Sequence, residues 1–146
     1  MINIRKSYLV LLCITFLLAI FPSSITQGAP KTDYDWVLIL TRDETKYTVD
    51  MNSIKIIDHT ILFWGVSDNA NETYVSFSYF SVNPNDRIFR FEKSARYDKQ
   101  TLSEISYTRT PSEWEPILTG SPIEIAITYI LEHHPDAKKV LNKTKE

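Results

Sequence analysis

The sequence predicts an α+β fold, in which a single antiparallel sheet of about six strands packs against a C-terminal helix. Between residues 35 and 108, apolar side chains recur at every second position and short polar turns separate the runs. This pattern is typical of antiparallel strands joined by tight connections. From residue 121 the apolar period becomes that of a helix. A run of strands followed by one helix indicates a single α+β domain.

Each strand is predicted from its own alternation. The run at 35–41 is apolar on both faces, which favours a covered strand, whereas the run at 45–51 alternates between apolar and polar side chains. Polar turns at Asp50–Ser53 and Asn83–Asp86 separate neighbouring runs. In the run at 87–97, strict alternation predicts that Arg90 and Arg96 share one polar face. The six predicted strands cover residues 35–41, 45–51, 59–67, 74–82, 87–97 and 102–108.

The helix has a recognisable start and end. Ser121 fits the N-cap position, Pro122 the first helical position and Glu124 the third, as in a capping box. Pro135 predicts that the helix ends or kinks at the residue before it. A stripe on one helix face would pack on the sheet, and it comprises Ile123, Ile127, Ile130 and His134.

Residues 1–28 have the order of a secretory signal peptide. Arg5 and Lys6 precede an apolar run of about 14 residues, which is shorter than the roughly 20 needed to span a bilayer. Pro22 breaks the run, and Thr26-Gln27-Gly28 predicts cleavage before Ala29. The sequence therefore predicts a signal peptide at 1–28 and one exported domain at 29–146, in the periplasm, at the cell surface or secreted.

Composition excludes several functions for the mature chain. The mature chain keeps 14 of the 16 basic residues against 18 acidic ones, a net charge of −4, because Arg5 and Lys6 lie in the signal. This disfavours nucleic acid as a partner, since nucleic-acid binding requires a basic face. The single cysteine, Cys13, also lies in the signal, so the domain must be held by packing without a disulfide. With three glycines in the chain, no clustered phosphate-binding loop is present.

Several motifs, taken in order, resemble those of the bacterial surface-adhesin protein E family. They are Asp35-Trp36-Val37, the run Tyr47 to Ile54, Phe63-Trp64, the basic-aromatic segment Arg87 to Arg90, Trp114 to Ile117, and Ser121 before the helix. The resemblance spans about residues 36–131 and implies a small sheet with one helix and a non-enzymatic binding role. The family-motif residues, with mainly structural roles, are Trp36, Tyr47, Asp50, Ser53, Ile54, Trp64, Trp114 and Ser121.

Candidate sites have competing interpretations. Arg90 and Arg96 are the candidate partner-binding residues, although a solvated sheet face explains the same pattern. Trp36, Tyr47, Trp64 and Trp114 would suit an aromatic ligand platform or ordinary packing. Asp50 fits turn capping better than acid–base chemistry. The adjacent His133 and His134 point about 100° apart on a helix, so we expect no shared metal, and no catalytic residue or cofactor is predicted.

Three functions follow from these observations. The first is an exported binding module that holds a host extracellular-matrix or envelope protein, or a second copy of itself, through a sheet face, a sheet edge or the helix. The second is a periplasmic domain that binds a small, possibly haem-like molecule between sheet and helix, near Tyr79, Phe91 and Ile127. The third is a hydrolase using His59, for which no nucleophile motif is present.

Overall fold

The computed structural model describes residues 33–143, with side chains to Leu141. The predicted signal peptide at 1–28 lies outside the described residues. Among the residues described, no helix combines the length and apolar composition needed to cross a membrane. The strands are β1 Trp36–Arg42, β2 Thr45–Asp50, β3 Lys55–Ile57, β4 Thr60–Asn69, β5 Tyr74–Asn83, β6 Ile88–Asp98, β7 Glu104–Thr108 and β8 Glu115–Pro116, and the helix is α1 Pro122–His133.

All the strands form one antiparallel sheet, which confirms the predicted fold. Its main order is β1-β2-β4-β5-β6-β7, and these six strands correspond to the six predicted from alternation. Two short strands extend the sheet, since β3 pairs with β4 and β8 pairs with β6. Two or three residues are too few to show a period, so neither short strand was predicted.

The core lies between α1 and one face of the sheet, which we call the covered face. The isoleucine stripe packs there as predicted, and Ile130 is completely buried. A 3-10 helix at Ala137–Lys143 follows α1 and adds two more buried side chains, Ala137 and Val140. Each large side chain buried in this way stabilises the fold by about 1.5–3 kcal/mol. Apolar packing is therefore the main interaction that holds the helix on the sheet.

The start of α1 confirms the N-cap but changes one half of the predicted capping box. The Glu124 amide donates to Ser121 Oγ at 3.3 Å, as expected. The Glu124 carboxylate accepts instead from the amide of Gly120, at 2.6 Å, because the Ser121 amide donates to the Leu118 carbonyl. Arg87 also donates to Glu124 at 2.7 Å. The hydrogen bonds from Arg87 and from the Gly120 amide lower the pKa of the Glu124 carboxyl. The contact between Arg87 and Glu124 also ties the helix to the residue just before β6.

A β-bulge in β6 overturns the predicted placement of two arginines. Phe80 pairs with Phe91 and Tyr79 pairs with Lys93, so Glu92 is an extra residue in β6. An extra residue reverses which face the following side chains occupy. Arg90 and Arg96 therefore lie on opposite faces of the sheet, and the prediction of one shared face is wrong.

Candidate functional site

The sheet face opposite the helix, which we call the open face, carries a cluster of aromatic side chains. The Trp64 and Tyr79 rings are 5.1 Å apart, and Phe77 contacts Tyr97 at 5.6 Å and Trp36 at 6.2 Å between centroids. Among the described elements, α1 and the 3-10 helix after it both pack on the covered face. The rings of this aromatic cluster belong to Trp36, Trp64, Phe77, Tyr79, Tyr97 and Tyr107.

Cationic side chains lie on the rings of this aromatic cluster. Lys93 Nζ is 5.8 Å from the Trp64 ring centroid and 5.5 Å from that of Tyr79. Arg109 Cζ lies 5.0 Å from the ring centroid of Tyr107. These distances are those of cation–π contacts. The bulge at Glu92 contributes directly, because it turns Lys93 onto the open face beside Tyr79.

Glu92 is an acidic residue that lines the same surface pocket as Lys93 and Arg109. Its Oε1 accepts from the buried Ser81 hydroxyl at 2.6 Å and from Arg90 Nε at 2.7 Å. Burial raises the pKa of Glu92, but the hydrogen bonds from Ser81 and Arg90 and the nearby positive charges outweigh it, so the pKa is lowered. The ionised carboxylate balances Arg90 and leaves the charges of Lys93 and Arg109 facing ring surfaces.

Tyr79 and Tyr97 on the open face remain neutral phenols. Burial, then the charge of Glu92, raises the pKa of Tyr79. Burial likewise raises the pKa of Tyr97, with a further contribution from Glu104. Neutral hydroxyl groups both donate and accept hydrogen bonds. The open face thus offers polar contacts as well as ring surfaces.

A second candidate lies on the covered face, where a cleft of about 340 Å³ separates the start of α1 from the sheet. Small residues form its floor, since Gly65 pairs with Ser78 and Ser67 lies on the same face. A Cβ on Gly65 would come within 2.9 Å of the Phe80 ring, so glycine lets that ring lie flat on β4. The apolar walls are formed by Phe63, Phe80, Phe89, Phe91, Leu118, Ile123 and Ala126.

Beyond the cleft, the covered face becomes polar. Ser76 pairs with Arg96, two pairs further along β5 and β6 than the Ser78–Ser94 pair. Arg96 is exposed, and its guanidinium lies 5.0 Å from the ring centroid of Tyr74. Among the described residues, Arg96 forms no ion pair. The face therefore changes from apolar to cationic with distance from the helix.

The structure separates the four residues of the predicted aromatic platform. Trp36 and Trp64 belong to the aromatic cluster, whereas Tyr47 lines the cleft on the opposite face. Trp114 lies under Arg90, whose Cζ is 4.7 Å from its ring centroid. The predicted small-molecule site is also divided, because Phe91 lines the cleft while Tyr79 lies on the open face and Ile127 is buried in the core.

Asp50, Ser53 and Ile54 form a structural corner, as the turn pattern predicts. Asp50 Oδ1 accepts from the amides of Asn52, at 3.1 Å, and Asp35, at 2.9 Å. The Trp64 amide donates to Ser53 Oγ at 2.8 Å, which fixes the corner to β4. Ile54 packs against the core. Such contacts explain these residues by turn geometry, with no reacting group required.

The histidines make separate local contacts. The His133 ring stacks on Tyr129 with centroids 4.0 Å apart, whereas His134 Nδ1 accepts from the Asp136 amide at 3.3 Å. Within residues 33–143, no group of three His, Cys, Asp or Glu side chains is placed to hold a metal ion. His59 lies exposed in a turn, and no serine–histidine hydrogen bond occurs among the described residues.

Sequence reasoning missed Lys93, Arg109, Gly65 and Ser78. Predicting the face of Lys93 required the position of the bulge at Glu92, which has no distinct sequence signal. Predicting the contact of Arg109 required the β6–β7 pairing that places Tyr107 on the open face. The small residues did leave a signal, since Ser76 and Ser78 alternate with aromatic residues in β5.

No protein-family model, curated protein or solved structure matches the chain.

Proposed function

We propose that the protein is an exported, non-enzymatic binding domain, resembling surface-adhesin protein E, that holds a protein partner on its open face. The observation that carries this proposal is the aromatic cluster, with Lys93 and Arg109 lying on its rings. The predicted signal peptide supports export. A host extracellular-matrix protein or an envelope protein is the class of partner that the resemblance implies.

The residue types of the open face are those that dominate protein–protein binding energy. Tyrosine, tryptophan and arginine are enriched at interface centres, and the two aromatic residues bury large areas there with little loss of side-chain freedom. Trp114, which is 40% exposed, extends this surface beside Arg90. A partner that covers the rings would also remove water from the cation–π contacts and strengthen them.

Charge indicates which segment of a partner would bind. Glu92 already pairs with Arg90, so an incoming carboxylate would meet Lys93 and Arg109. We therefore expect the partner to present acidic side chains between apolar ones. Arg96 faces the other side of the sheet and has no part in this surface.

The binding test compares charge reversals on the two faces. Purified protein is titrated against a panel of purified extracellular-matrix proteins, using the unchanged chain, Lys93→Glu/Arg109→Glu, and the control Lys138→Glu/Lys139→Glu. The control residues are exposed and lie on the 3-10 helix that packs on the covered face. We expect the open-face variant to bind at least tenfold more weakly and the control to bind normally. Equal binding by all three proteins, or no binding by any, would overturn the proposal.

Location is tested separately in intact source cells. An added protease should digest the domain while a periplasmic control protein survives. If the domain is protected until the envelope is opened, the surface-adhesin role is excluded, and the open face would have to serve an envelope partner.

A further inference from the structure

We propose that the cleft on the covered face binds the acyl chain of a long-chain carboxylate, with its carboxylate held by Arg96. This site lies on the opposite side of the sheet from the proposed protein-binding surface and is independent of it. The argument rests on the size of the cleft, its lining and the position of one cation.

The cleft has the dimensions and lining of a small-molecule site. Ligand pockets span about 300–1,000 Å³ and are mostly apolar with a few polar groups. At about 340 Å³, this cleft is at the lower end of that range and suits one narrow chain. Four phenylalanines form its walls, and their apolar surface would be dehydrated by a hydrocarbon ligand: Phe63, Phe80, Phe89 and Phe91.

The polar side of the cleft fixes the orientation of the ligand. Ser67 and Ser78 lie on its floor, and Ser76 and Arg96 follow on the same face. Two residues along a strand span about 7 Å. A carboxylate over Arg96 would therefore leave the chain free to run past Ser78 and under α1. Glu115 lines the cleft near Phe89 and would repel an anionic group placed at that end.

Arg96 is suited to receive a carboxylate. Its guanidinium is exposed, stacks on Tyr74, and forms no ion pair with any described acidic residue. Arginine binds carboxylates through two parallel hydrogen bonds, which gives both energy and direction. A haem-like ligand fits less well, because the lining contains no histidine, methionine or cysteine, and Tyr47 alone is of a type that ligates haem iron.

The test measures calorimetric binding of palmitate and of hexadecanol, its uncharged analogue, to the purified protein. We expect palmitate to bind at least tenfold more tightly than hexadecanol. Arg96→Gln should weaken palmitate binding about tenfold and leave hexadecanol unchanged. Arg109→Gln, on the open face, is the matched control and should alter neither. Ser78→Leu should fill the floor of the cleft and abolish binding of both ligands, while Thr128→Leu, at an exposed position of α1 that does not line the cleft, should not.

Several results would overturn the proposal. These are absence of palmitate binding, equal loss of both ligands on Arg96→Gln, or full binding by Ser78→Leu. Binding of haem or a matrix protein in the cleft, displaced by Ser78→Leu, while palmitate fails to bind, would assign the cleft to a different occupant. If Ser78→Leu fails to fold, judged by circular dichroism, the exposed Arg96 variant still decides the question.

Discussion

The two faces of the sheet are both rich in aromatic residues, but they use them differently. On the covered face, Phe63 is 1% exposed beneath the helix and belongs to the continuous core. On the open face, Phe77 and Tyr79 remain partly exposed, and cations lie on several of the neighbouring rings. In a domain without a disulfide, one face can thus supply most of the stability while the other keeps its rings partly exposed.

The largest expected effect on stability comes from making the same substitution, phenylalanine to alanine, on each face of the sheet. Phe63→Ala should lower the free energy of unfolding by about 3–5 kcal/mol, because it removes an almost fully buried ring and leaves a cavity in its place. Phe77→Ala, on the adjacent strand, should cost at least ~1 kcal/mol less, since part of its side chain already contacts solvent. Urea denaturation of both variants gives the comparison. Equal losses would show that the open face is as essential to folding as the covered one.

An intermediate effect is expected at the start of the helix that covers the sheet. Ser121→Ala removes the N-cap acceptor for the Glu124 amide and should cost about 1 kcal/mol. Thr128→Ala, at an exposed position of α1, is the control and should be neutral or slightly stabilising, because alanine favours helix. A Ser121 variant as stable as the unchanged protein would mean that packing alone fixes where α1 begins.

The smallest effect concerns the charged network of the open face. The pKa of Glu92 in the folded protein lies below its ordinary value near 4.5, so its ionised form favours folding above that pH. Glu92→Gln should therefore be less stable than the unchanged protein at neutral pH. The difference should vanish as the pH falls through the lowered pKa of Glu92.

Thermal unfolding at neutral and acidic pH measures this difference. Glu115→Gln serves as the control, because the Glu115 side chain has no hydrogen-bond partner among the described residues. We expect this variant to be as stable as the unchanged protein at both pH values. If the stability difference between Glu92→Gln and the unchanged protein is the same at acidic pH, packing and not charge is responsible for it.

Local sequence signals predicted the elements of this fold but not their faces. The alternation in β2 and the Ser121-Pro122 start of α1 each depend on neighbouring residues, and both are found where predicted. The faces depend on bulges at Ile39, Glu92 and Ile105. Apolar residues occupy both sides of the sheet, so the sequence pattern does not show where one residue is inserted.

The candidate sites were predictable only in part for the same physical reason. Trp36 and Trp64 stand out in the sequence, but their neighbours on the open face come from strands distant in the chain. The cleft depends on Gly65 and Ser78 lying opposite the start of α1. Such a gap arises from tertiary packing, which no local window of sequence contains.

The bulges at the two edges of the sheet also affect how copies of the chain can meet. Ile39 interrupts β1 between Leu38 and Leu40, and Ile105 interrupts β7. Each of the two edge strands, β1 and β7, therefore presents at most three consecutive residues with regular spacing. Polymerisation by strand addition needs a long, flat, unbroken edge, as in fibrils. The two bulges therefore disfavour linear aggregation of copies of this chain through either edge strand.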